Sequence, residues 1–156
     1  MEELEIDLSE LIDETAIDLK MDVQSKSEAI EKLTDLLVSN GAIESKETFL
    51  EDVFEREEQG LTGIGNGIAI PHGKSTGVQK TSIAIGRSKN GLEWETLDEE
   101  PVQTIILFAV TENDKNNFHL KLLAKIAGAL ADENVCYQVK NADNANEIIR
   151  ALQKEN

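Results

Sequence analysis

His72 stands in the stretch of this chain best suited to chemistry. It closes the run Gly60-Leu61-Thr62-Gly63-Ile64-Gly65-Asn66-Gly67-Ile68-Ala69-Ile70-Pro71 and is followed by Gly73-Lys74. Four of the first eight residues of that run are glycine, so the backbone can turn tightly and approach a ligand closely. From Gly60 to Gly91 there is no Asp or Glu, yet the window holds His72, Lys74, Lys80, Arg87 and Lys89. In a chain of formal net charge -16, such a window implies a site built for an anion, with phosphate the leading candidate. Imidazole is a good nucleophile only when neutral, and neighbouring cations favour the neutral ring. The same cations, with free backbone N–H groups, would stabilise a transferred phosphoryl group. The pattern alone leaves a second reading open, in which Pro71-His72-Gly73 is only a turn after a strand.

The other histidine, His119, shares a helical face with Leu123, Ile126 and Leu130 at offsets of four, seven and eleven. On spacing alone it is a core histidine facing the sheet, although its place near a helix start lets it reach a strand-end site. Arg56 belongs to Arg56-Glu57-Glu58, which reads as a solvated helix end. Its guanidinium fork nevertheless suits phosphate, and it precedes His72 by only sixteen residues.

Other chemistries fit poorly. Two histidines without a paired Cys/His/Asp spacing make a weak zinc site. Gly63-Ile64-Gly65-Asn66-Gly67 lacks the third glycine of a dinucleotide fingerprint and leads into a strand. Gly73-Lys74-Ser75 lacks the helix and the upstream spacing of a nucleotide P-loop. No Ser or Cys nucleophile motif is visible, and no cofactor or metal is expected. Cys136 and Trp94 read as packing residues.

The elements that position these residues follow from periodicity. Ser25 and Glu28 form a capping-box pattern ahead of Ala29, Ile30, Leu33, Leu36 and Leu37, with Gly41 closing the helix. A second helix starts near Ser45, carries Phe49, Leu50, Val53 and Phe54 on one face, and stops at Gly60, with Arg56 in its last turn. Strands are expected at 68–70, 82–85 and 102–110, the last apolar nearly throughout, as in a central strand covered on both faces. Asn90-Gly91 reads as a turn between the second strand and Leu92-Glu93-Trp94. A third helix from about Asn116 to Ala131, a short one near Val135–Val139 and a closing one from the Asn144/Glu147 capping box to Leu152 complete the order. The fold class is α/β: a single domain with a mixed parallel/antiparallel β-sheet flanked by α-helices on both faces.

At 156 residues the chain suits one domain spanning 1–156, with no linker or repeat to divide it. No apolar run approaches the ~20 residues needed to cross a bilayer. The acidic start Met1-Glu2-Glu3-Leu4-Glu5 is the reverse of a secretory signal, and the single Cys136 fits a reducing compartment, so a cytoplasmic protein is expected. Strong acidity argues against nucleic acid and anionic membranes and favours a small protein partner with a basic face.

Arg56-Glu57, Thr62-Gly63-Ile64-Gly65-Asn66-Gly67-Ile68-Ala69-Ile70-Pro71-His72-Gly73 and His119-Leu120-x-x-Leu123-Ala124, in this order and spacing, strongly resemble the enzyme IIA domain of the fructose/mannitol class. That class belongs to the bacterial phosphoenolpyruvate-dependent sugar phosphotransferase system. The resemblance runs from Ser25 to the C-terminal helix, with no departure at these positions. It implies that His72 accepts a phosphoryl group from the carrier protein HPr and passes it to a IIB domain of a sugar permease. It further implies that His119 stabilises the phosphohistidine and that Arg56 is the phosphate-binding cation. The membrane IIC domain would be met only indirectly. A nitrogen-regulatory IIA paralogue, which signals through phosphorylation-dependent protein binding, shares the same features, and so would a phosphorylation-sensing module of a larger protein.

Overall fold

The computed structural model describes residues 7–114 and 117–153. Its elements in chain order are α1 (Leu8–Leu11), β1 (Ile12–Met21), α2 (Lys26–Ser39), α3 (Lys46–Gln59), β2 (Gly63–Gly65), β3 (Ile68–Ala69), β4 (His72–Ser75), β5 (Ser82–Leu92), β6 (Val102–Thr111), α4 (Phe118–Leu130), α5 (Glu133–Asn141) and α6 (Ala145–Gln153).

The sheet runs β1-β5-β6-β3-β2, with β4 also paired to β6. Parallel pairs (β1/β5, β3/β6, β4/β6) and antiparallel pairs (β5/β6, β2/β3) coexist, so the mixed sheet expected from sequence is present. β6 explains why its sequence is nearly all apolar. Ile105, Leu107 and Ala109 face a core shared with Ala29, Ile30, Leu33, Leu37, Phe49 and Val53 of α2 and α3. The alternate residues Ile106, Phe108 and Val110 face a second core with Leu122, Ile126, Val135, Val139, Ile148 and Leu152 of α4, α5 and α6. Each side of the strand buries its own row, as the period-two pleat requires.

The helix starts follow their caps. Ser25 Oγ accepts from the Glu28 N–H at 3.2 Å, and Ser45 Oγ from the Thr48 N–H at 3.3 Å. Asn144 Oδ1 accepts from the Glu147 N–H, and Asn144 Nδ2 donates to Glu147 Oε2 in place of the backbone N–H of a capping box, both at 3.0 Å. Gly41 takes a positive φ of 87° just past α2. The expected start of the third helix at Asn116 lies outside the described residues, as do Met1–Glu5; the helix itself runs Phe118–Leu130. The short helix is longer than its apolar spacing suggested, because Asp132 caps it at the N–H groups of Asn134 and Val135. Among the described residues no helix is long and apolar enough to cross a membrane.

Three readings need correction. Asn90-Gly91 does not turn: both residues lie inside β5, and neither has the positive φ that a two-residue hairpin turn demands. The Asn90 amide instead donates to the Val23 carbonyl at 3.1 Å, and Gly91 lets Pro101 close in against the strand. Leu92 ends β5, so Leu92-Glu93-Trp94 is not a returning strand. The hairpin signal belongs to Asn66-Gly67, whose φ values of 58° and 77° join antiparallel β2 and β3. A strand at Ile12–Met21 was also not legible. It carries Asp13, Glu14, Asp18 and Lys20, and its pairing with β5 is broken by bulges, as suits a charged outer edge.

Candidate functional site

His72 does not stand beyond the end of a strand, as its Pro-Gly flanks suggested. β3 and β4 pair with β6 in one unbroken register: Ala69 faces Ile105 and His72 faces Phe108, the same offset on both sides of Ile70-Pro71. Proline has no N–H to give, so the ladder is interrupted at Pro71, but its carbonyl still accepts from Phe108 at 3.0 Å. His72 therefore opens β4 on a backbone fixed from both sides.

Gly73 supplies the second constraint. A Cβ there would lie 2.6 Å from Val53 Cγ2 and 3.3 Å from the Val53 backbone nitrogen, so α3 rests directly on β4. With Gly73 turned toward α3, the pleat sends His72 and Lys74 to the opposite face, toward the start of α4. Gly73→Ala is expected to destabilise the fold by about 1–3 kcal/mol through overpacking. Urea unfolding measures it, and an unchanged midpoint would show that α3 can yield.

The imidazole of His72 is half-buried and held at both nitrogens. Nδ1 lies 3.3 Å from the Ile70 carbonyl, and Arg56 Nε donates to Nε2 at 3.2 Å. A carbonyl can only accept, and an arginine can only donate, so the ring carries its proton on Nδ1 and its lone pair on Nε2. Burial is the main force lowering the His72 pKa below the ordinary 6.5. The Ile70 carbonyl opposes that shift, the positive charges of Arg56 and His119 add to it, and Glu57 weakly opposes it. The ring is thus neutral and nucleophilic at neutral pH. Folded His72 resists protonation that the unfolded chain would accept, so its contribution to stability is present above pH 6.5 and is lost as pH falls through the depressed folded value. Titration of the ring nitrogens by ¹⁵N NMR is expected to give a midpoint below 6.5, and a midpoint above it would contradict this geometry.

Arg56 sits in the last turn of α3, as expected, and also reaches the Gly60 carbonyl at 3.4 Å. His119 lies in the first turn of α4, its side chain partly exposed. Its Nδ1 contacts Asp114 Oδ2, which also accepts the His119 backbone N–H at 3.0 Å. Desolvation works to raise the Asp114 pKa, but the bonds from His119 and the charges of His119 and Lys74 outweigh it and hold the carboxyl low. Leu122, Ile126 and Leu130 form the buried stripe of α4, so His119 marks the edge of that face and not its core.

The structure thus gathers Arg56, His72, His119 and Lys74 at one place. It sends the rest of the acid-free window elsewhere. Arg87 donates to the carbonyls of Ala142 and Val139 at 2.9 and 3.0 Å, capping the end of α5 four residues back along β6 from His72. Lys80 lies beside Asp13. Two residues went unread. Asp114 was legible only as a carboxylate five positions before His119. Glu57, read as part of a solvated helix end, has a side chain only 5% exposed. Trp94 packs as expected and in addition donates to Thr62 Oγ1 at 3.0 Å.

The chain resembles known proteins over nearly all of its length. The family model for the phosphoenolpyruvate-dependent sugar phosphotransferase system, EIIA 2, matches residues 10–155. The PTS system 2-O-alpha-mannosyl-D-glycerate-specific EIIABC component of Escherichia coli (strain K12) is 34% identical over 148 residues, 94% of this chain but 22% of that protein. The PTS system fructose-specific EIIA component of Haloferax volcanii is 30% identical over 138 residues, covering 88% of this chain and 89% of its own length. The crystal structure of nitrogen regulatory protein IIA-Ntr from Neisseria meningitidis superposes with a TM-score of 0.83 at 30% identity, covering 92% of this chain and 97% of that one. The chain therefore belongs to the EIIA 2 family of the phosphoenolpyruvate-dependent sugar phosphotransferase system, a family of phosphotransfer components.

Proposed function

We propose that residues 1–156 form one cytoplasmic IIA domain that accepts a phosphoryl group on Nε2 of His72 from phosphorylated HPr and hands it to a IIB domain, in a fructose-like sugar pathway. The observation that carries this reading is the pairing of His72, with Nδ1 tied to the Ile70 carbonyl and Nε2 facing Arg56. In the first half-reaction the Nε2 lone pair attacks phosphorus and the N–P bond of the carrier breaks, its electron pair returning to the carrier's ring. No proton need move when the carrier's ring, like that of His72, keeps the N–H of its other nitrogen, so that it leaves as a neutral imidazole while His72 takes up the phosphoryl group with Nδ1–H in place. Arg56 releases Nε2 as the new bond forms and turns its donors to the phosphoryl oxygens. Asp114 is a fitting counter-ion for an imidazolium at His119, and that form offers an N–H to the same oxygens. Return of the phosphoryl group to a IIB side chain reverses these steps.

Transfer between side chains calls for positioning and charge, not for a nucleotide or a bound metal. An acidic domain meeting a carrier with a basic contact face would associate fast and part easily.

The test is intact-mass analysis after mixing the protein with phosphoenolpyruvate, enzyme I and HPr. One acid-labile phosphate supports the relay. None, with the other components active on another IIA domain, removes it. The likeness to the neisserial nitrogen regulatory protein supports a second reading, in which the phosphorylated and unphosphorylated forms bind different regulatory targets. Copurification of a kinase or transporter in place of a IIB domain would favour it.

A further inference from the structure

The two bonds that orient the His72 ring both lead back to the last turn of α3. Arg56 holds Nε2 directly. The Ile70 carbonyl that holds Nδ1 belongs to a residue whose own N–H donates to the Thr62 carbonyl at 2.8 Å. Thr62 is buried, and its hydroxyl donates to Glu57 Oε1 at 3.0 Å while accepting from Trp94 Nε1. Glu57 is the next residue after Arg56. Its Oε1 pairs with Lys26 Nζ at 2.6 Å, and Lys26 also reaches Glu95 at 2.9 Å and lies 5.3 Å from the centre of the Trp94 ring. Glu57 Oε2 is buried without a hydrogen-bond partner among the described residues. A half-satisfied buried carboxylate is costly, and for fold stability alone an apolar residue would serve better.

We infer that Glu57, with Lys26 as its counter-ion, is a positioning residue for phosphoryl transfer, acting through Thr62 and Ile70 to hold His72 in the Nδ1–H form with Nε2 presented to the incoming phosphorus. The inference rests on the phosphohistidine reading above. The Arg56-Glu57 pair then does two jobs from adjacent positions: one side chain faces the nucleophilic nitrogen, and the other fixes the backbone behind the opposite nitrogen. A sub-ångström rotation of the ring moves the lone pair off line, and misplacement of that order slows transfer steeply.

Two readouts test it in the full chain: ¹⁵N NMR of the His72 ring, which reports the tautomer, and the rate of phosphoryl uptake from phosphorylated HPr. Glu57→Ala and Thr62→Val are each expected to mix the tautomers and to lower the maximal uptake rate about 10-fold, with KM for the carrier unchanged. Glu57→Gln retains an oxygen for the Thr62 hydroxyl and should recover most of the rate. If Glu57→Ala fails to fold because Lys26 is stranded, Thr62→Val decides, since it leaves the Lys26–Glu57 pair in place. A folded Thr62→Val variant with wild-type tautomer and rate overturns the inference. Should the wild-type chain take up no phosphate, the functional reading fails, while the tautomer of the variants still judges the positioning role on its own.

Discussion

His72→Ala is expected to gain no phosphate from phosphoenolpyruvate, enzyme I and HPr under conditions in which the unchanged chain gains one. The expected effect is complete because the proposed relay puts the accepting nitrogen on His72 alone and gives His119, paired through Nδ1 with Asp114, a donor's role. The substitution should leave the fold intact. His72 is only half-buried, and the register of β4 on β6 is set by backbone bonds that alanine can make. A cost within about 1 kcal/mol is anticipated, so loss of labelling would not reflect unfolding. If His72→Ala still labels and His119→Ala does not, the two histidines have exchanged roles and the site must be reassigned.

Arg56→Ala carries the second-largest effect. Removing a donor aimed at a developing phosphoryl charge costs about 100-fold to 1000-fold in rate in comparable sites. Here the loss is double-edged. The same substitution removes a positive charge that lowers the His72 pKa, so the ring should protonate at a higher pH than in the unchanged chain. Rapid-quench measurement of phosphoryl uptake from about pH 5 to about pH 8, on either side of the ordinary histidine pKa of about 6.5, separates the two effects. At the alkaline end only the lost stabilisation remains, and at the acid end the raised pKa adds to it. Arg56→Lys should fall between, restoring charge without the planar fork. A slowing of less than about 3-fold at pH 8 would mean that Arg56 orients the resting ring but does not meet the phosphoryl group.

Much of this site was legible before any coordinates. Pro71-His72-Gly73 singled out a candidate nucleophile because proline and glycine restrict and free the backbone locally, although the pattern by itself left a simple turn open. Arg56 was placed in the last turn of a helix by its distance from Ser45 and Gly60, and it is there. The charged window was only half informative. Charge along a chain does not say where a side chain turns, and Arg87 and Lys80 turn away to a helix end and to Asp13. Asn90-Gly91 and Asn66-Gly67 carry the same dipeptide, and only the second is a turn. The difference is that β5 pairs on both edges, with β1 and β6, while the ends of β2 and β3 are joined by nothing but those two residues.

The sequence by itself determined the class of fold, the identity of the histidine most fit for phosphoryl chemistry, and the helix that carries Arg56, because caps, periodicity and Gly/Pro punctuation act over a few residues. The tertiary structure alone decided which nitrogen of His72 carries the proton and which the lone pair, that Asp114 contacts His119, and that the Glu57 side chain lies buried against Thr62 and Lys26. The burial of Glu57 depends on contacts between segments far apart in the chain, Lys26 with Glu57 and Glu95 and Thr62 with Trp94. Even the short-range bonds of His72 to Ile70 and of His119 to Asp114 need the backbone conformation that the sheet imposes. No local pattern encodes them, since burial and hydrogen-bond partners exist only once the sheet and its two layers of helices have closed.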